Sequence, residues 1–323
     1  SGSNETRPVT QDYAEVILLL NYSCVTGLVS LKLECSYVLR PHLGTIKLLL
    51  RNVLLCIAHT LGRYKITPVQ SVLKNIVRDW SDAGAAEREQ CYQPILDRIE
   101  NFFQRKIFKD RSDIKILVPG AGLGRLAWEI AARGFSCQGN EFSLFMLFAS
   151  NFILNKCLKA NQYTVYPWVH QYVNHLKGED QARAATFPDV PPSAKETHFS
   201  MAAGDFLKVY IEENEWDCVA SCFFIDCAPN VIEFIERIYA ILRPGAYWIN
   251  LGPLLYHYSD MPTEMSIEPP YDILLDIIRD VGFEILRSGV KTKYAQNPAS
   301  MMQHEYSSVF FVLGTSLHLH SAV

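Results

Sequence analysis

Three glycines at alternate positions form the first group of residues whose types can support chemistry. Gly120, Gly122 and Gly124 follow the apolar run Ile116–Val118 and precede the helix-like segment GRLAWEIAARG. Glycine has no Cβ, so such a loop lets a ligand approach the backbone, and unpaired N–H groups at the start of the next helix can hold its polar atoms. A dinucleotide-binding loop would place its third glycine where Arg125 stands. The spacing therefore favours a cofactor with an amino-acid tail over a pyrophosphate.

Polar residues that follow the next apolar runs can complete a cofactor site. Glu141 ends the second run, where a carboxylate can accept hydrogen bonds from two ribose hydroxyls. In AAGDF, Asp205 can accept a hydrogen bond from an adenine amine and Phe206 can pack on the adenine ring. The order and spacing of these segments resemble the class I S-adenosylmethionine-dependent methyltransferases. The glycine spacing disfavours a nicotinamide dehydrogenase.

A second group of polar residues lies at the ends of later predicted strands. In CFFIDCAPNVIEFI, Cys222 and Asp226 stand at the carboxyl end of one strand, His257 follows the next strand and Tyr306 begins the last. Open α/β sheets bind ligands at the carboxyl ends of their strands, so we expect these residues to share a crevice. Two other interpretations stay open: Asp226 can cap the helix that begins at PNVIEFIE, and a lone histidine is usually a hydrogen-bonded structural residue.

These segments, with VRDWSDAGAAEREQCYQPI and PGAGLGRLAWEIA, closely resemble the carnosine N-methyltransferase family over about residues 73–312. The resemblance implies S-adenosyl-L-methionine as cofactor, a histidine dipeptide as substrate, methylation of its imidazole ring and anserine as product. It implies cofactor contacts at Asn75, Arg78, Gly120, Gly122, Glu141, Asp205, Phe206 and Cys222. It implies substrate contacts at Asp226, His257, Tyr294 and Tyr306, with Asp226, His257 and Tyr306 as catalytic residues.

Four of these positions have a second interpretation. Asn75 stands where the family has a glutamine, which implies a shorter or lost cofactor contact. Arg78 can bind the methionine carboxylate in a bidentate manner or lie on a solvated helix face. Cys222 is better explained as a small packing residue than as a nucleophile, because nothing near it in the sequence activates a thiol. Tyr294 either binds the dipeptide or packs in the core.

The chemistry of the implied reaction needs orientation more than it needs a metal. Methyl transfer from a sulfonium to nitrogen is an in-line displacement, and orientation contributes roughly 7–11 kcal/mol in well-positioned systems. Asp226 can accept the imidazole N–H, leave the other nitrogen free to react and stabilise the cation that forms. The nine cysteines include no CxxC pair and no zinc-like spacing with histidine, so we expect no metal ligands.

The elements that must position these residues change character along the chain. Before about residue 108, IKLLLRNVLLCIAHTL and AEREQCYQPILDRIENFF have helical periodicity. From Ile114 onward, short β-branched and aromatic runs alternate with helix-like segments, which predicts an α/β fold with a Rossmann-like, seven-stranded sheet. The candidate strands are IKILVPG, SCQGNEF, HFSMAAGDF, WDCVASCFFID, GAYWINLGP, GFEILR and SSVFFVLG.

This pattern predicts two regions and one insertion. The regions are an N-terminal helical region at 1–108 and a methyltransferase domain at 109–323. The last two strands leave little room for a helix between them, which predicts an antiparallel hairpin that closes the sheet. A proline-rich stretch at about 163–200 is long for a connection and is either a lid or a plain surface loop.

Composition limits the partners and the compartment. A net charge of -4 in 323 residues gives no basic footprint for nucleic acid, so a small ligand is expected. The uncharged run Val16–Leu31 is shorter than the roughly 20 residues that a bilayer needs and has no basic flank, which favours a buried or poorly ordered segment over a membrane or signal segment. An odd number of scattered cysteines favours reduced thiols, and with them the cytoplasm and also the nucleus. A homodimer, a longer peptide or protein substrate, and a non-catalytic relative of the family all stay open.

Overall fold

The computed structural model of the chain describes residues 67–104, 110–194, 196–294 and 296–315. The helices predicted before residue 67, and the run Val16–Leu31, lie outside these residues. Lys74–Val323 form one compact unit, and the boundary predicted between residues 108 and 109 stays a prediction. Within the described ranges, no helix combines the length and apolarity that a membrane crossing requires.

The described elements alternate between strands and helices. The strands are β1 (Lys115–Pro119), β2 (Ser136–Glu141), β3 (Tyr163–Val165), β4 (Ala185–Phe187), β5 (Phe199–Ala203), β6 (Trp216–Cys222), β7 (Leu242–Gly252), β8 (Phe283–Thr292) and β9 (Tyr306–Thr315). The α-helices are α1 (Thr67–Trp80), α2 (Ala85–Cys91), α3 (Gln93–Phe102), α4 (Arg125–Ala132), α5 (Leu144–Lys156), α6 (Phe206–Val209), α7 (Val231–Ile241) and α8 (Tyr271–Val281).

Seven strands form one sheet in the order β5-β2-β1-β6-β7-β9-β8. The first five of these strands are parallel to one another, and β9 is antiparallel to both β7 and β8. The predicted α/β class and the predicted closing hairpin are therefore confirmed. Because β2, β1, β6 and β7 are parallel neighbours, their carboxyl ends lie side by side at one edge of the sheet, where the candidate residues fall.

The core has two layers because successive strand residues point to opposite faces of the sheet. Ile116 packs with Ile95 of α3 and Ile130 of α4 on one face. Leu117 packs with Ile235 of α7 and Leu274 of α8 on the other face. β1 is apolar throughout its centre since it is covered by helices on both sides, as is usual for parallel strands.

The predicted insertion contains a small sheet of its own. β3 and β4 pair in antiparallel orientation, with Thr164 opposite Thr186 at the centre of the pairing. The chain beyond β4 is anchored on α4, where the indole Nε1 of Trp128 donates to the carbonyl oxygen of Pro192 at 3.1 Å. The segment is thus packed on the domain, and its role as a lid stays a prediction.

Candidate functional site

The glycine loop after β1 places open backbone beside a buried carboxylate. Gly122 has φ +56°, and a Cβ built on it would meet no atom within 4 Å, whereas a Cβ on Gly120 would lie 2.6 Å from the ring of Phe224. The N–H of Gly122 donates to Glu141 Oε2 at 2.8 Å, and the N–H of Ser143 donates to Glu141 Oε1 at 2.7 Å. Burial raises the pKa of Glu141 despite these two hydrogen bonds. The carboxylate at the end of β2 is therefore fixed against the loop that is predicted to hold the cofactor.

The turn between β5 and α6 is tied to the same edge of the sheet. The side-chain amide of Asn140 donates to the carbonyl oxygen of Gly204 at 3.1 Å. Asp205 caps α6 by accepting from the N–H of Leu207 at 3.1 Å. The ring of Phe206 is buried at 4% exposure and packs in the second core layer. Asp205 thus lies at the predicted cofactor edge, while the predicted stacking of Phe206 on an adenine ring stays a prediction.

Arg78, near the end of α1, is a buried cation. Its side chain is only 6% exposed, so its interpretation as a residue of a solvated helix face is wrong. Nη1 lies 3.1 Å from Asp79 Oδ1, and Nε lies 3.3 Å from Glu87 Oε1, although without hydrogen-bond geometry. Burial acts to lower the pKa of Arg78, but Tyr92 and Asp79 hold it well above its ordinary value. A buried guanidinium forms strong, charge-assisted hydrogen bonds with an anionic group such as an amino-acid carboxylate.

Tyr294 packs directly on this guanidinium. The guanidinium carbon of Arg78 lies 4.6 Å from the centroid of the Tyr294 ring. The hydroxyl of Tyr294 donates to Oδ1 of Asn75 at 3.2 Å, and burial raises the Tyr294 pKa to about 12. Asn75, whose side chain is shorter than the glutamine of the family, thus orients Tyr294. The family resemblance implies that this tyrosine contacts the substrate.

Cys222, the last residue of β6, also lies beside Arg78. Its Sγ is 4.0 Å from Arg78 Nη2. Burial raises the pKa of the Cys222 thiol far out of the physiological range, even with a cation beside it. A thiol that stays protonated is a weak nucleophile, which fits the predicted packing role.

Asp226 and His257 lie together just past the carboxyl ends of β6 and β7. Asp226 is 3% exposed and accepts the N–H of Leu255 at Oδ2, at 3.1 Å. The backbone N–H of His257 donates to the carbonyl oxygen of Asp226 at 3.0 Å. The cap of α7 is Asn230, which accepts from the N–H of Ile232. The interpretation of Asp226 as the cap of that helix is therefore wrong, and its side chain binds the N–H of Leu255 instead.

The surroundings of Asp226 favour either a proton on its carboxyl group or a positively charged partner beside it. Burial raises the pKa of Asp226, and His257 acts against this shift. The His257 side chain is exposed, with Nε2 3.9 Å from Cys227 Sγ. Tyr306 begins β9 and its ring lies edge-on to Phe223, 6.4 Å away. Asp226 and His257 thus lie close together and Tyr306 contacts Phe223, while the roles of all three in substrate binding stay a prediction.

Phe223 is a site residue that the sequence interpretation missed. It has φ +54°, a conformation that a bulky residue rarely adopts. Its N–H donates to the carbonyl oxygen of Leu251 at 2.8 Å, and a Cβ on Gly252 would come within 3.1 Å of its Cα. The ring packs 4.6 Å from that of Tyr294. Gly252 is the one local signal of this close approach, and nothing in the sequence links it to Phe223.

Asp189, in the insertion, was also missed. Its two carboxylate oxygens pair with Arg88 Nη2 at 2.7 Å and Arg125 Nη1 at 2.6 Å. Arg125 Nη1 also donates to the carbonyl oxygen of Asp79 at 2.9 Å. The residue that replaces the third glycine of a dinucleotide loop thus joins α1, α4 and the insertion.

The strand order of the main sheet, with a glycine loop after its first strand and an acid at the end of its second, defines the class I methyltransferase fold. Within that class the particular family follows from sequence comparison. The family model described as carnosine N-methyltransferase matches residues 59–316, and the chain belongs to that family.

Individual relatives agree with this assignment. The chain is 59% identical over 252 residues to the carnosine N-methyltransferase unmet of Drosophila melanogaster, covering 77% of this chain and 55% of that relative. It is 49% identical over 254 residues to the carnosine N-methyltransferase of Mus musculus, covering 77% and 63%. It therefore spans less than two thirds of the length of either relative. Among solved structures, the magnesium protoporphyrin IX methyltransferase of Synechocystis with bound S-adenosylhomocysteine is 14% identical, with a TM-score of 0.42 over 73% of this chain and 88% of that one.

Proposed function

We propose that the chain transfers a methyl group from S-adenosyl-L-methionine to an imidazole nitrogen of the histidine in carnosine or a related dipeptide, giving anserine from carnosine. The observation that carries this proposal is the position of the buried Asp226 carboxylate beside the carboxyl end of β6, with one of its oxygens within 4.8 Å of a ring nitrogen of His257. Membership of the carnosine N-methyltransferase family supports it.

The residues at the sheet edge fit the cofactor. Glu141 retains lone pairs for ribose hydroxyls although it already accepts two N–H groups. The space over Gly122 accommodates a ligand that lies against the loop, and the buried guanidinium of Arg78 suits the methionine carboxylate. When bound, S-adenosyl-L-methionine supplies an electrophilic methyl group on a positively charged sulfur.

The substrate side of the site has groups that can orient an imidazole. Asp226 accepts the ring N–H, which leaves the lone pair of the other nitrogen free for the methyl group. As that nitrogen becomes bonded to carbon, the ring gains positive charge, and the Asp226 carboxylate stabilises the charge and can then accept the ring proton. His257, Tyr294 and Tyr306 supply hydrogen bonds to the rest of the dipeptide. Orientation of this kind contributes about 7–11 kcal/mol in well-positioned systems.

The exposed side chain of His257 favours a second candidate within the same chemistry. Because His257 beside Asp226 is exposed, the imidazole that reaches Asp226 can belong to a longer peptide chain as well as to a dipeptide. The second candidate substrate is therefore a histidine within a peptide or protein.

Transfer of labelled methyl groups distinguishes these proposals. We expect carnosine to be methylated, a β-alanyl dipeptide without imidazole to stay unlabelled, and Asp226→Ala to lose the transfer while it still binds S-adenosylhomocysteine. Labelling of a histidine-containing peptide but not of carnosine would move the assignment to the second candidate. Cofactor binding without transfer to either substrate would contradict both.

A further inference from the structure

Methyl transfer requires no metal ion, yet Asp226, Cys227 and His257 form a mixed cluster of possible metal ligands. One carboxylate oxygen, the cysteine Sγ and one imidazole nitrogen lie within 4.8 Å of one another, and Cys227 Sγ is 3.9 Å from His257 Nε2. No other such group of three occurs among the described residues. The cluster therefore combines an oxygen, a sulfur and a nitrogen donor around one point.

The donor types and distances match one class of cation. Zn²⁺ binds thiolate at about 2.3 Å and imidazole or carboxylate at about 2.0–2.2 Å in tetrahedral sites. Such bond lengths place neighbouring ligand atoms roughly 3.3–3.6 Å apart. The observed sulfur-nitrogen distance exceeds this by a few tenths of an ångström, and the other two distances are at most 4.8 Å, so side-chain rotations have to draw the three ligand atoms together. Three protein ligands leave the fourth position open, as in zinc sites that exchange a ligand.

The surroundings of the cluster carry negative charge. Asp226 is 3% exposed, so its carboxylate has little water to solvate it. Burial raises the pKa of the Cys227 thiol, and the negative charges of Asp226 and Glu141 raise it further. A divalent cation would compensate these charges, and a bound metal ion stabilises the thiolate of its own ligand.

We propose that Asp226, Cys227 and His257 bind a thiophilic divalent cation, with Zn²⁺ as the type, and that this ion competes with the imidazole substrate. Bound metal occupies the Asp226 oxygen that would accept the ring N–H. An imidazole that reaches the open fourth position binds the metal through its lone pair, which then cannot accept a methyl group. The competition rests on the proposed function, whereas the metal binding itself does not.

Cobalt absorption tests the binding without any activity measurement. When Co²⁺ is titrated into the full chain, we expect a thiolate-to-metal charge-transfer band in the near ultraviolet that saturates at one equivalent of Co²⁺. Added Zn²⁺ should then displace the cobalt and remove the band. Cys227→Ala and His257→Ala are expected to lose this band. Cys157→Ala, which removes a buried cysteine of another segment, is expected to keep it. Loss of a direct ligand should weaken Zn²⁺ binding at least about tenfold, since even loss of an outer-shell partner has that effect.

The same variants define the outcomes that overturn the proposal. Absence of a thiolate band in the wild-type chain, or its persistence in Cys227→Ala, contradicts the metal site. Retained binding of S-adenosylhomocysteine shows that each variant is folded. If the band behaves as expected but Zn²⁺ lowers methyl transfer without raising the KM for carnosine, the ion binds but does not compete. If carnosine is not a substrate, the proposed function fails while the cobalt result stands.

Discussion

At the scale of single residues, Asp226 shows a conflict between stability and chemistry. Its carboxylate is buried and its pKa is raised, so ionisation of Asp226 destabilises the folded state. In the proposed reaction, in contrast, a substrate imidazole would benefit from the ionised form as the acceptor of its N–H. Active sites often keep such a destabilising group because the reaction requires it.

We expect Asp226→Asn to raise the melting temperature at pH 7 and to lower methyl transfer by about 10²–10⁴-fold. The neutral amide can still accept the N–H of Leu255 through its oxygen but carries no buried charge. Thermal unfolding and labelled-methyl transfer measure the two effects. Asp113→Asn, at an exposed aspartate, should change neither.

The gain in stability should depend on pH in a defined direction. A carboxyl group with a raised pKa in the folded state binds more protons there than in the unfolded state, so its contribution to stability is lost as pH rises through the folded pKa. Below the ordinary aspartate pKa of about 3.9 both states are protonated, and the advantage of Asn over Asp should disappear. A melting-temperature difference that stays constant from neutral to strongly acid pH would contradict the raised pKa of Asp226.

A substitution at Gly122 tests whether the glycine loop binds the cofactor. We expect Gly122→Ala to weaken binding of S-adenosylhomocysteine, measured by calorimetry, because the new methyl group enters the space over the loop. The left-handed φ of +56° adds about 1–2 kcal/mol of backbone strain for a residue with a Cβ.

Gly178→Ala is the matched control for this change. A Cβ on Gly178 also meets no atom within 4 Å, but its φ is not left-handed and it lies in the insertion. It should leave both stability and cofactor affinity unchanged. Equal affinities for the two variants would remove Gly122 from the predicted cofactor site.

At the scale of elements, Asp189 attaches the insertion to α2 and α4. Its side chain is 10% exposed, and it pairs with two arginines whose side chains are 10% and 6% exposed. We expect Asp189→Asn to destabilise the fold by about 3 kcal/mol, since removing one partner leaves buried charge uncompensated. Denaturant unfolding measures this change.

The pair of Lys177 with Glu179, in the same insertion, provides the comparison. Both side chains are more than 70% exposed and their charged atoms are 3.7 Å apart. Glu179→Gln should therefore change the free energy of unfolding by less than about 1 kcal/mol. A similar effect of both substitutions would mean that Asp189 does not hold the insertion.

The elements were largely predictable from sequence because their signals are local. Each predicted strand of the main sheet is found, since β-branched and aromatic runs indicate buried strands. The hairpin of β8 and β9 follows from the short distance between its strands in the chain. In contrast, the partners of Asp189, Asn75 and Phe223 lie up to 219 residues away in the chain, and no local pattern identifies them.

At the scale of the whole molecule, the predicted cofactor residues come from separate parts of the chain. Arg78 is in α1, Gly122 follows β1, Glu141 ends β2, Asp205 follows β5 and Cys222 ends β6. A ligand that contacts all of them joins elements that span much of the sheet. Its binding energy therefore adds to the stability of the entire compact unit and not to one loop.

We expect S-adenosylhomocysteine at about 100 times its dissociation constant to stabilise the folded chain by about 2.7 kcal/mol. A nicotinamide dinucleotide at the same concentration should have no effect, because Arg125 occupies the position of the third glycine that a pyrophosphate loop needs. Thermal unfolding with each ligand measures the difference. Stabilisation by the dinucleotide alone would overturn the assignment of the glycine loop, while stabilisation by S-adenosylhomocysteine without transfer to any imidazole would identify a non-catalytic member of the family.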